Sequence, residues 1–151
     1  VSFLKGHITE EHISNGLTAC LTAAGQTPVG TAAGYDLAGA RNDELTEEAL
    51  SLAALSDTVL LFVGTTAEDE ARMAREGTVT LPPVQRALCH RLSRTDKDVV
   101  VILSTRVAVD LSFLTEAVHP FAAVLLADVE ASEGLRGVAD ILTGAQCPGG
   151  R

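Results

Sequence analysis

Asp57-Thr-Val-Leu-Leu-Phe-Val-Gly64 runs into Thr65-Thr-Ala-Glu-Asp-Glu-Ala-Arg-Met-Ala-Arg-Glu-Gly-Thr-Val-Thr80 and then Leu81-Pro-Pro83. The first piece is a continuous apolar run, the pattern of an inner parallel strand buried on both faces. It stops at Gly64. A charged stretch follows, carrying Glu68, Asp69, Glu70, Arg72, Arg75 and Glu76. Pro82 or Pro83 then fits the first turn of a helix, where a missing N–H costs nothing. Strand-to-helix loops in α/β units are usually about 2–6 residues. Read as a loop, Thr65 to Thr80 is far longer, and loops of that size are more often functional or mobile than idle. It also follows the carboxyl end of a parallel strand, where open α/β sheets bind ligands.

Two more runs repeat the strand pattern, Asp98-Val-Val-Val-Ile-Leu-Ser104 and Ala122-Ala-Val-Leu-Leu-Ala127. Both are predicted to be inner strands. Thr27 to Ala33 is predicted as an edge strand, because Pro28 is tolerated at an edge and not inside a sheet. Ile13, Leu17, Cys20, Leu21 and Ala24 fall at helical spacing and predict a helix from Glu10 to Ala24. Gly25 supplies its left-handed stop. Asn42 caps a second helix, with Glu44, Glu47 and Glu48 near its positive end. Val84, Leu88 and Leu92 line a third, Leu111 to Val118 is a short helix or turn, and Glu133 to Leu142 is a last helix ended by Gly144. Helices alternating with apolar strands predict an α/β fold: a three-layer αβα sandwich around a mainly parallel, doubly wound sheet. Residues 1–151 read as a single domain, large enough to bury a core.

Hydrophobic residues make up 46% of the chain, which excludes a disordered sequence. Aromatics are 3%, with no Trp. A self-sufficient sugar-binding module stacks aromatic faces on its ligand, so that role is disfavoured. The net charge is −9, from 11 Lys plus Arg against 20 Asp plus Glu. That sign repels phosphate, so neither nucleic acid nor an anionic membrane is an expected partner. No apolar run reaches the roughly 18 residues of a membrane span. Cys20, Cys89 and Cys147 form no metal-type pair. Free thiols favour a reducing compartment, and a cytoplasmic location is the expectation.

The carboxylate cluster Glu68, Asp69 and Glu70 is the leading candidate for chemistry. Closely spaced carboxyls can be driven apart in acidity, so that one serves as a general acid. The alternative use is to keep a loop in water. His7 and His12 are five residues apart, His90 and His119 are isolated, and no metal site or cofactor is expected. No dinucleotide fingerprint, P-loop or nucleophile elbow is present. Ser104-Thr105 ends the second strand run and can cap the next turn or hydrogen-bond a ligand. Asp128 and Glu130 end the third and can line the same face.

Several segments together resemble the C-terminal α/β sandwich domain of family 3 glycoside hydrolases, the β-glucosidase-like enzymes. They are Asn15-Gly-Leu17 to Gly25, Ala32-Ala-Gly-Tyr-Asp36, Ala53 to Gly64, Leu81-Pro-Pro-Val-Gln-Arg-Ala-Leu88, and Glu133-Gly134 through Gly144 to Arg151. The resemblance implies hydrolysis of terminal β-linked sugars. It implies a nucleophilic Asp on a separate N-terminal (β/α)8 barrel, the partner domain, and a general acid/base Glu from the segment before Leu81-Pro82. The family pattern there reads E-S-E-G-x-D-R-x-x-L-x-L-P. Counting back from Leu81-Pro82 places its first Glu at Glu70, with Glu68 as the alternative. The second Glu is matched by Arg72, the Gly by Met73, the Asp by Arg75 and the Arg by Glu76. The resemblance further implies that the domain's usual first strand and the barrel lie ahead of Val1. A retaining glycosidase sets two carboxyls about 5–5.5 Å apart across the sugar. These residues supply one at most, so the isolated chain is expected to be inactive. The competing expectation is a non-catalytic scaffold or interaction module of the same fold.

Overall fold

A computed structural model describes residues 10–36, 38–127 and 132–149. The elements in order are α1 (Glu10–Ala23), α2 (Asp43–Ala54), β1 (Thr58–Gly64), α3 (Ala67–Glu76), α4 (Pro83–Leu92), β2 (Asp98–Ser104), α5 (Ser112–Thr115), β3 (Ala123–Leu126) and α6 (Ser132–Leu142). The strands form one parallel sheet in the order β1-β2-β3. Thr58 to Gly64 pair in step with Asp98 to Ser104. Val100 to Leu103 pair with Ala123 to Leu126.

Alternation along the strands divides the core in two. Leu61, Val63, Val101 and Leu103 point to one face and pack with Leu88, Cys89 and Leu92 of α4, Ala53 of α2 and Phe113 of α5. Phe62 and Ile102 point to the other and pack with Leu17 of α1 and with Leu135, Val138 and Ala139 of α6. Helices therefore cover both faces, and the three-layer α/β sandwich expected from the alternating pattern is the observed architecture. Tyr35, just after the left-handed Gly34, is buried in the first of these clusters.

Four expectations need correction. The charged stretch after Gly64 is a ten-residue helix, α3, and not a long loop. Thr66 and Asp69 form a reciprocal capping box at its start. Glu68, Asp69 and Glu70 lie in its first turn, where the helix end favours negative charge. Gly77 at φ 64° ends it, and Thr78 N–H closes onto Met73 C=O at 3.0 Å. Met73 is the one buried side chain of the helix, so the periodicity that normally betrays a helix was too thin to read. Second, Thr27 to Ala33 join no strand ladder among the described residues. This segment and residues Thr58 to Phe62 of β1 line one cavity together. Third, among the described residues β3 is an edge strand and not an inner one, with Val124 45% and Leu126 68% exposed. Fourth, the helix in Leu111 to Val118 is a single turn. The remaining helices hold to within a residue or two of their expected limits, and Asn42 caps α2 by accepting from Glu44 N–H and Leu45 N–H. Val1 to Thr9, Asp128 and Glu130 lie outside the described residues.

One buried polar contact fixes α4 against the sheet. The side-chain amide of Gln85 accepts from Gly64 N–H at 2.9 Å and donates to Gly64 C=O at 2.9 Å. It acts as a strand one residue long. Gln85 is 5% exposed, so water cannot replace it. Removing it leaves two buried backbone groups unmatched, each costing about 1–3 kcal/mol. Gln85→Leu is therefore expected to lower stability by roughly 2–4 kcal/mol, seen as a lower urea midpoint with unchanged slope.

Burial also pushes the Cys89 thiol up from its ordinary 9.0 to about 12. The unfolded thiol ionises first as pH rises, so this residue's contribution to stability falls between about 9 and 12. At pH 8, a thiol reagent should label exposed Cys147 at once, half-buried Cys20 more slowly and Cys89 only in denaturant. Labelling of Cys89 at the rate of Cys147 would contradict this packing.

Candidate functional site

The site lies at the carboxyl ends of β1 and β2. Gly64 and Ser104 are in register, and Thr65 N–H extends the ladder by donating to Ser104 C=O at 3.1 Å. Two strands that each end in a small residue and a threonine thus bring Thr65 and Thr105 side by side. Their hydroxyl oxygens are 2.9 Å apart. Thr65 is buried, and its hydroxyl also donates to Glu70 Oε1 at 3.0 Å. Glu70 reaches this point because the capping box starts α3 directly after Thr65. The other carboxylate oxygen, Oε2, lies 3.5 Å from Arg106 Nη2. The Glu70 side chain is 16% exposed and that of Arg106 60%. The carboxylate is thus held from below by a fixed hydroxyl and from above by a solvent-facing cation.

The three clustered carboxyls have separate tasks. Asp69 Oδ2 accepts from Thr66 N–H at 3.0 Å and from the Thr66 hydroxyl at 2.8 Å. Its Oδ1 accepts from Arg72 Nη2 at 2.8 Å. Asp69 is committed to the helix cap. Glu68 is exposed, with no hydrogen bond or ion pair to the described residues. Glu70 alone is tied to the strand ends. The structure therefore separates the two sequence candidates: Glu70 sits at the sheet and Glu68 sits in solvent. Arg72 pairs with Asp69, and the cation beside Glu70 is Arg106.

Sequence reasoning missed Thr65, Arg106 and Gln85 as parts of this region. A signal existed for two of them. Gly64-Thr65 and Ser104-Thr105-Arg106 are equivalent ends of two strand runs, so neighbouring strands bring them together. Thr105 also does the bland job expected of it, accepting from Val107 N–H at 3.2 Å to cap the next turn. His90 and His119 are exposed. Among the described residues, no three His, Cys, Asp or Glu side chains converge on a point that could hold a metal ion. No helix among them is long and apolar enough to cross a membrane.

Asp110, close by in sequence, accepts from Ser112 N–H at 2.9 Å and from the Ser112 hydroxyl at 2.8 Å. The backbone hydrogen bond above all, then the hydroxyl, holds its carboxyl below the usual range. Its backbone N–H donates to Val79 C=O at 2.7 Å, tying the chain after β2 to the segment that leads into α4. A cavity elsewhere, among the described residues, is lined by Gln26 to Ala32 and Thr58 to Phe62, and neither Glu70 nor Glu68 lines it.

A search of curated proteins finds no match to the chain. The family model described as glycosyl hydrolase family 3 C-terminal domain matches residues 5–151. That match spans the sheet, both helix layers and the Glu70 strand-end site together. The chain belongs to the glycosyl hydrolase family 3 C-terminal domain family.

Proposed function

We propose that this domain serves a glycosidase that hydrolyses terminal β-linked sugars, and that Glu70 is the carboxyl it presents as general acid/base. The observation that carries this reading is the position of Glu70. It sits at the carboxyl ends of the strands, with Oε1 anchored by the buried Thr65 hydroxyl and Oε2 facing outward toward Arg106. A general acid must bring one oxygen within about 2.6–3.2 Å of the leaving-group oxygen. Oε2 is the oxygen able to do so, once the exposed Arg106 side chain swings aside. The N-terminal barrel of the parent protein would supply the nucleophile. Glu70 would protonate the departing oxygen in the first step and deprotonate water in the second.

A specific observation favours a second reading. Both Glu70 oxygens are engaged, and Arg72, Met73, Arg75 and Glu76 replace the residues the family pattern places after this Glu. A non-catalytic scaffold would keep the carboxylate as a tie between α3 and the strand ends. Glu68, exposed and unpaired among the described residues, is the alternative acid, two positions earlier on α3.

The test uses the full-length protein with aryl β-glycosides of good and poor leaving ability. Glu70→Ala should lose about 10²–10⁴-fold on the poor leaving group and much less on the good one. Azide should restore turnover by taking the place of the base. The same pattern in Glu68→Ala would move the role to Glu68. Unchanged rates in both variants would leave the scaffold reading standing.

A further inference from the structure

Glu70 Oε1 stands at one end of a line of hydroxyls that crosses from the end of β2 to the end of β1. Val107 N–H donates to Thr105 Oγ1 at 3.2 Å. Thr105 Oγ1 lies 2.9 Å from Thr65 Oγ1, which lies 3.0 Å from Glu70 Oε1. Thr105 Oγ1 also lies 2.9 Å from Val107 C=O. Each threonine hydroxyl has a single proton to give, and counting those protons fixes the direction of the line.

A carboxylate only accepts, and a hydrogen bond to an ionised group is roughly twice as strong as one between neutral groups. The Thr65 proton therefore goes to Glu70. With that proton spent, Thr65 cannot also donate to Thr105, so Thr105 is the donor in the contact between them. Val107 C=O is the rival acceptor for the Thr105 proton. Val107 is exposed, so water serves that carbonyl, whereas Thr65 is buried and needs a protein partner. The line runs one way, from Val107 N–H through Thr105 and Thr65 to Oε1. A proton on Oε2 leaves Oε1 an acceptor, so the direction is the same whether Glu70 is ionised or carries its proton there. Dipoles aligned in advance cost no reorganisation when charge moves.

We propose that Thr105 is a positioning residue for Glu70, acting through Thr65. It holds the Thr65 hydroxyl toward Oε1 and so keeps Oε2 as the working oxygen in both half-reactions. This rests on the acid/base reading of Glu70. Thr105 stands one hydroxyl away from the carboxyl, on the end of the neighbouring strand. Its hydroxyl therefore matters to Glu70 only while Thr65 has one too.

The full-length protein and aryl β-glycosides of good and poor leaving ability test this, with Glu70→Ala as the reference. On the poor leaving group, Thr65→Val should lower kcat/KM about 10–100-fold, the size of a lost hydrogen bond to a charged group. Thr105→Val should lower it about 2–10-fold, the size of a lost neutral one. The good leaving group, which needs no acid, should lose far less in both. The double variant should match Thr65→Val alone to within about twofold, because independent sites add and a serial line does not. Thr105→Ser, which keeps the hydroxyl, should recover most of the Thr105→Val loss. Should Thr65→Val not fold, the two Thr105 variants decide the matter by themselves, since Thr105 is only half-buried. An unchanged rate in Thr105→Val would overturn the proposal. So would a loss that falls equally on both substrates, adds in full to that of Thr65→Val, or persists in Thr105→Ser. The acid/base reading survives those outcomes if Glu70→Ala keeps its own leaving-group dependence. Unchanged rates in Glu70→Ala would remove the reading and the proposal together.

Discussion

The fold near the site depends on the contact between Gln85 and Gly64. A strand at the end of its ladder still carries a peptide group turned away from its neighbour. Here that group is buried, and a carboxamide from α4 matches its donor and its acceptor. The match stops the sheet at this level and pins α4 to β1. It also sets the height at which Thr65 leaves the strand. Every later feature follows from that height: the Thr65–Thr105 contact, the capping box that starts α3, and the anchoring of Glu70. Leu81, Pro82 and Pro83 deliver Gln85 by opening α4 at the right point. The wider role of the Leu-Pro-Pro-x-Gln sequence is therefore to end a strand.

Three consecutive acidic residues look redundant on paper and are not so in space. A helix advances about 100° per residue, so neighbours in sequence face different surroundings. Asp69 turns back to the cap, Glu68 turns to water and Glu70 turns to the strand ends. The same clustering serves the helix as a whole, since each charge in its first turn interacts favourably with the unpaired N–H groups. Stability of α3 and presentation of a carboxyl are thus met by one segment. A family-3 domain that had lost its chemistry could retain these acids for the helix alone. That is why the Glu70 contacts, rather than the acidic composition, bear on function.

Much of the architecture was legible in the sequence. Two of the three strands are continuous runs of β-branched and aliphatic residues with buried centres, and such runs have few other stable uses. Helix caps at Asn42, Gly25 and Gly144 could be read from single residues, because each needs a particular backbone geometry. What was not legible depends on partners distant in sequence. Whether Thr27 to Ala33 pairs, or whether Ala123 to Leu126 lies inside the sheet, is decided by what stands beside them. α3 was misread because its evidence is a cap and a stop, Thr66-x-x-Asp69 and Gly77, with little apolar stripe between. The position of Glu70 followed from counting back from Leu81-Pro82. Its clamp by Thr65 and Arg106 did not, because that needs the register of β1 on β2.

A structure of the full-length protein bound to a non-hydrolysable aryl β-glycoside would test the functional account most directly. The account predicts Glu70 Oε2 within about 2.6–3.2 Å of the glycosidic heteroatom, Arg106 displaced, and the Thr65 and Gln85 contacts intact. A bound sugar with Glu70 still clamped between Thr65 and Arg106, out of reach of the scissile bond, would contradict it.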